Sequence, residues 1–172
     1  MSKKSEFTGE EVIETDTLVL FWKPPAPFSQ WTPSTFVIDG VTYGCAEQFM
    51  MAEKARLFGD AENLAKILRT SSPKTQKALG RKVTGFDPAV WSAKCLDIVV
   101  RANVAKFSQN PPLLAALLAT GTKTLVEASP LDRVWGIGRR ADDPRAHDPA
   151  TWNGTNLLGQ ALMRARDQVI AS

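Results

Sequence analysis

Three dipeptides restrict what this chain can fold into more than any other feature: Ser72-Pro73, Asp87-Pro88 and Asn110-Pro111. In each, a side chain able to accept from free helix N–H groups precedes a proline, which supplies a helical φ and lacks a donor that the first turn leaves unused. Each pair predicts a helix start, for KTQKALGRK, for a long helix over about 88–108, and for PPLLAALLA. In the long one, Val90, Trp91, Leu96, Val99, Val100, Val104 and Phe107 recur at roughly helical spacing. Asp60 offers the same cap to a helix over 61–69. The middle of the chain is therefore helical.

The flanks read differently. TLVLFW, 17–22, reads as a strand, and the following KPPAPFSQWTP is an ordered loop because its prolines fix φ and remove donors. TFVI and VTYG flank Asp39-Gly40, a two-residue hairpin signal, and the hairpin feeds straight into a helix, CAEQFMMAEKA, 45–55. TLVEAS, 124–129, is a second strand, and a last helix runs from about Asn156 to Ile170. Strands and helices do not alternate as a doubly wound sheet requires, so the expected fold class is α+β, mostly helical, with a small hairpin or sheet. At 172 residues the chain fits a single domain, placed over 17–172 behind a flexible segment at 1–16. The glycine- and charge-rich loop of 130–155 is unusually long, and such loops in compact domains are commonly functional.

Composition narrows the chemistry. With 44% hydrophobic and 23% charged residues and no apolar run of spanning length, no membrane role is expected. The N-terminus lacks the apolar core of a secretory signal, so the expected compartment is the cytoplasm, or the nucleus in a eukaryote. Two distant cysteines, Cys45 and Cys95, and a single histidine, His147, argue against a Cys/His zinc site and against any catalytic machine needing a second histidine. No metal and no cofactor are expected. A net charge of +3 suits an anionic ligand, yet there is no Lys/Arg block, RNP-like aromatic run or zinc finger of a dedicated DNA-binding module.

Three stretches can carry chemistry. On a helix, Glu47, Met51 and Lys54 fall at i, i+4 and i+7, and helical side chains lean toward the N-terminus, so Lys54 reaches back toward Glu47. Glu53 and Arg56 point elsewhere. Two arrangements meet this pattern: a partly buried ion pair at the core's edge, or a carboxylate and an amine held in a cleft with shifted pKa values. The second stretch is VWGIGRR, 134–140, where Gly136 and Gly138 expose backbone amides, Arg139 and Arg140 can fork onto phosphate, and Trp135 offers a face. These would suit a phosphorylated ribose; a tight loop with solvated arginines fits the same letters. The third is NGTNLLG, 153–159, where Asn156 reads as a helix N-cap and Gly159 marks close approach by a backbone or ligand. Trp91 reads as core or as ligand platform, Trp31 as a pin for the Pro-rich loop, and His147 as a surface residue.

PFSQW, IDGVTYGCAEQFMMAEKARLFGD, GFDPAVW, ANVAKFSQNPPLLAALLATG, LVEASPLDRVWGIGRRADDP and WNGTNLLGQALMRAR together resemble the NADAR family, also called YbiA-like, over about 18–170. The resemblance implies an N-glycosidase acting at a ribose C1 joined to nitrogen. The implied substrate is ADP-ribose on guanine in DNA, whose removal reverses DNA ADP-ribosylation and can act as antitoxin to a partner DNA ADP-ribosyltransferase. Phosphoribosylamino-pyrimidine intermediates of riboflavin synthesis are the alternative, and a non-catalytic ADP-ribose-binding module is a third reading. By this resemblance Glu47 and Lys54 are the catalytic pair. Phe21, Ser29, Gln30, Trp91, Trp135, Gly136, Gly138, Arg139, Asn156 and Gly159 are the expected substrate-binding positions. Gln30 departs from the family's FSN pattern by one methylene, which puts its detailed contact in question.

Overall fold

The computed structural model describes residues 3–4 and 12–172. Strands β1 (Lys3–Lys4), β2 (Val12–Glu14), β3 (Leu18–Phe21) and β6 (Thr124–Glu127) form one sheet in the order β1-β2-β3-β6. β1 and β2, and β2 and β3, pair antiparallel; β3 and β6 run parallel, with Phe21 opposite Glu127. Strand β3 has two hydrogen-bonding edges and is buried along its whole length, so both are covered. One cover comes from the segment expected to be flexible: residues 12–14 pair with β3 and Val12 is buried. The rest of that segment, 1–2 and 5–11, lies outside the described residues.

The hairpin forms as expected, β4 (Phe36–Ile38) and β5 (Val41–Tyr43) joined through Asp39 and Gly40, both at positive φ. It runs into α1 (Ala46–Leu57), followed by α2 (Ala61–Arg69), α3 (Pro73–Gly80), α4 (Pro88–Ser108) and α5 (Pro111–Ala119). The side chains of Asp60, Ser72 and Asp87 accept from first-turn N–H groups of α2, α3 and α4. Asn110 stands at the start of α5, but its amide instead donates to Thr35 O and Lys106 O, tying α4 to the hairpin's approach. After β6 the chain passes through two short 3-10 turns to α6 (Leu157–Ala171). The expected mostly helical α+β domain is the one that forms.

Helix α1 is the centre of the molecule. It packs against α2, α3 and α4, while α6 bridges α4 to β6. Aromatic rings of Phe36, Tyr43 and Phe49 stack where the hairpin meets α1. Enclosed on several sides, α1 buries polar residues as well as apolar ones. Gln48 accepts from Gly44 N and donates to Ile67 O, stitching the helix to both neighbours, while Glu47 has a different use.

Candidate active site

One face of α1 floors a cavity of about 1060 Å³. Its walls come from the Pro-rich loop (Ser29, Gln30, Trp31), from α3 (Lys77, with Arg81 just beyond), from the start of α4 (Trp91), and from the end of β6 and its following loop (Glu127, Asp132, Trp135). Glu47, Met50, Met51 and Lys54 all line it from α1, so the i, i+4, i+7 stripe faces a cleft.

The Glu47 backbone N–H donates to Gln30 O, joining α1's first turn to the Pro-rich loop. Glu47 as a residue is 6% exposed, and its carboxylate makes no hydrogen bond to the described residues. Burial pushes its pKa up to about 7, against the pull of Lys77 and with a further push from Asp132. Lys54 makes no direct ion pair with it. The Lys54 ammonium sits 4.5 Å from the Phe86 ring centroid and 5.5 Å from that of Trp91, and burial lowers its pKa, with Arg81 adding to the effect and Glu47 opposing it. Burial makes the free amine, the form a nucleophile needs, easier to reach, while the aromatic faces favour the ammonium.

A second carboxylate was not singled out by the sequence. Glu127 lines the cavity at the end of β6, with one side-chain oxygen buried and unpartnered. Burial raises its pKa to about 8, with Asp132 and Glu47 adding repulsion. Its backbone is gripped on both sides: the Ile137 N–H donates to Glu127 O and the Glu127 N–H donates to Asn156 Oδ1. Asp132 is placed by accepting from the backbone N–H groups of Val134 and Trp135. A polar residue closing a short apolar strand, as in TLVE, is the signal that could have marked Glu127.

The other expected binding residues divide into two groups. Ser29, Gln30, Trp91 and Trp135 line the cavity with Glu47 and Lys54, and Trp31 does so as well. Gln30 turns its longer amide into the protein: its Oε1 accepts from Asn103 at 3.0 Å and its Nε2 meets Met50 Sδ. Below it, the fully buried ammonium of Lys106 donates to Ser29 O, fastening this loop to α4.

The rest serve the frame. Phe21 is core, packed against Phe28 at 5.4 Å between centroids, and borders a separate, smaller cavity. Gly136 admits the close backbone of Asp132 and Glu127, and Gly138 adopts φ +68. Arg139 donates to Thr151 O and pairs with Asp143, while Arg140 pairs with Asp142 and faces the smaller cavity. Asn156 makes no side-chain cap; at φ 52 it turns its amide onto β6, donating to Leu125 O and accepting from Glu127 N. Gly159 meets Leu125 O and the Asn156 amide where a Cβ would stand, so its close neighbour is protein.

Comparison with known proteins agrees with this fold. The family model described as NADAR domain matches residues 20–170. An N-glycosidase of Acanthamoeba polyphaga mimivirus is 47% identical over 146 residues, 82% of this chain and 86% of that one. The N-glycosidase YbiA of Escherichia coli is 30% identical over 160 residues, 91% of each chain. The NMR structure of E. coli YbiA superposes with a TM-score of 0.74 at 28% identity, covering 94% of this chain and 90% of that one. A riboflavin biosynthesis protein of Zea mays, PYRR, is 30% identical over 166 residues, 88% of this chain but 24% of that longer one.

Proposed function

Because this chain belongs to the NADAR family and is a hydrolase of N-glycosyl bonds, we propose that its substrate is ADP-ribose joined through ribose C1 to guanine in DNA, with free ADP-ribose as product. The observation that carries this reading is a carboxylate and an amine, both with shifted pKa values, sharing one aromatic-walled cavity of about 1060 Å³. That volume lies just above the roughly 300–1,000 Å³ usual for small-molecule sites, which favours a large ligand over a single phosphoribosyl unit.

The linkage is an aminal, so the ribose can open. The bond from C1 to the ring oxygen breaks, the oxygen takes a proton, and C1 is left doubly bonded to the guanine nitrogen. Glu127, kept protonated by burial, is placed to supply that proton. The unprotonated amine of Lys54 adds to C1, and Glu47 carries the proton from the Lys54 nitrogen to the guanine nitrogen. The guanine amine leaves, and C1 remains joined to Lys54 as a Schiff base. Water then adds to C1, one of its protons passes to the Lys54 nitrogen and the other returns to Glu127, the bond from C1 to Lys54 breaks, and ADP-ribose departs in its aldehyde form. Ionised Glu47 also stabilises the positive charge that builds on the sugar.

A second reading keeps the chemistry and changes the substrate to a phosphoribosylamino-pyrimidine; the likeness to the maize riboflavin biosynthesis protein over 88% of this chain favours it. The test is to incubate the purified protein with an oligonucleotide carrying ADP-ribose on guanine and, separately, with the pyrimidine, using Lys54→Ala as control. Lys54-dependent release of ADP-ribose and a borohydride-trapped adduct are expected. Cleavage of the pyrimidine alone would transfer the assignment to the second reading. Ligand binding without turnover of either compound would leave a binding module.

A further inference from the structure

We infer that Lys77 and Arg81 form the phosphate-binding pair of the cavity and set its preference for a phosphorylated ribosyl group. This rests on the reading that a ribosyl C1 reacts beside Glu47. The two arginines that the sequence offered for phosphate are committed elsewhere: Arg139 to Thr151 O and Asp143, Arg140 to Asp142 beside the smaller cavity. A phosphorylated ligand seated at Glu47 therefore needs other cations.

Helix α3 supplies them. Lys77 and Arg81 stand four residues apart, on one face of the helix and its end, and both line the main cavity. Among the described residues neither side chain makes an ion pair or a hydrogen bond, so both heads are available to a ligand in the cavity. Both lie close enough to Glu47 to favour its ionised form, and Arg81 acts on Lys54 as well. Their placement is a consequence of packing. Gly80 lies between them in sequence and sits so tightly on Met51 that a Cβ there would meet the Met51 sulfur, which brings α3 close against α1.

The charge balance points the same way. Asp132, and Glu47 when ionised, place negative charge near the reacting carbon while Glu127 keeps its proton, so the phosphate is drawn to the cations of α3. A phosphorylated ribose is thereby oriented, its phosphate toward α3 and its C1 toward the carboxylates. Arg81 provides a planar fork for two phosphate oxygens and Lys77 a point charge.

The probe is ADP-ribose, titrated calorimetrically into the full chain, so that the readout does not depend on turnover. The double variant K77Q/R81Q is expected to bind at least about 30-fold more weakly, since each lost charge-assisted contact is worth on the order of a fivefold or larger loss. A control double variant of two further cations that line the cavity, K23Q/R133Q, is expected to lose less than about threefold. The charge-retaining K77R/R81K guards against a folding defect and should recover most of the affinity. Equal loss in the two neutralised variants, full affinity in K77Q/R81Q, or no binding of ADP-ribose by the unmodified protein would each overturn the assignment. The outcomes also separate from the reaction: binding that depends on Lys77 and Arg81 with no cleavage of either substrate would sink the glycosidase substrate reading and leave the phosphate pair standing.

Discussion

At the residue scale, the cavity sorts its ionisable groups by surroundings. Burial raises both carboxyls, but for Glu47 the largest charge effect is the pull of Lys77, which holds its pKa to about 7, whereas for Glu127 repulsion from Asp132 and Glu47 outweighs Lys77 and it reaches about 8. Near neutral pH this leaves Glu47 about half ionised as a base while Glu127 mostly keeps its proton, the division of labour that acid–base chemistry requires. The two titrations are coupled, so the observed limbs belong to the cluster. kcat/KM is expected to rise with pH through about 7 as Glu47 ionises and to fall above about 8 as Glu127 loses its proton. Glu47→Gln should lower kcat by about 10²-fold or more and flatten the rising limb. Glu127→Gln should flatten the falling limb while lowering the maximum. A pH–rate series on the three proteins checks both, and an unchanged falling limb in Glu127→Gln would remove Glu127 from the proton-transfer scheme.

At the element scale, the link between helix α6 and strand β6 decides where Glu127 stands. Asn156 replaces a missing neighbouring strand by bonding Leu125 O and Glu127 N, and Gly159 lets α6 approach closely enough for it to do so. In an ordinary exposed helix, Gly→Ala gains about 1 kcal/mol. Here the new Cβ would sit 2.1 Å from a backbone carbonyl and 2.3 Å from the Asn156 amide nitrogen, neither of which can swing away freely. Gly159→Ala is therefore expected to destabilise the protein by about 2–3 kcal/mol, as overpacking does. It should also depress activity by displacing Glu127. Urea unfolding and turnover, measured on the same preparation, check the pair of effects; a raised unfolding midpoint would show that α6 is free to shift.

The same element shows what sequence could and could not convey. Caps at Asp60, Ser72 and Asp87 were legible because donor and acceptor lie within a few residues of each other. Gly159 was legible as a place of close approach, but its neighbour, Leu125, is distant in the chain, so ligand and backbone read alike. Asn156 carried the letters of an N-cap, while its left-handed backbone and grip on β6 arise from tertiary pairing. The arginines of VWGIGRR read equally as phosphate ligands or as part of a tight loop; they pair with the nearby Asp143 and Asp142, and only Thr151 O is brought in by the folding of the long loop. Lys77 and Arg81, in turn, sit in a sequence that reads as an ordinary solvated helix, and only the seating of α3 on α1 turns them toward Glu47.

At the scale of the whole molecule, the site opposes the fold that holds it. A carboxyl whose pKa is higher in the folded chain than in the unfolded one adds stability in its protonated form, and that contribution disappears as pH rises through the folded value. For Glu47 the window runs from the model-peptide value of 4.5 to about 7, across which the folded chain holds the proton more tightly and stability falls with rising pH, by up to about 1.4 kcal/mol per unit. Lys106 acts in the opposite sense. Burial lowers its pKa from 10.5 to about 7, so the unfolded chain binds more protons between those values and stability climbs with pH over that range. The two slopes meet near neutrality, where both burial penalties bear on the fold at once. Glu47→Gln removes the first slope, and Lys106→Met, an unbranched apolar side chain one atom shorter, removes the second. Relative to the parent protein, Glu47→Gln should be increasingly stabilised from pH 4.5 to 7 and gain nothing further at higher pH, while Lys106→Met should have its greatest relative advantage below pH 7 and lose it toward pH 10. Urea midpoints measured across pH 4.5–10 distinguish the two. A Glu47→Gln protein no more stable than its parent at pH 8 would mean that water entering the cavity already solvates the carboxylate, and that its raised pKa does not come from burial.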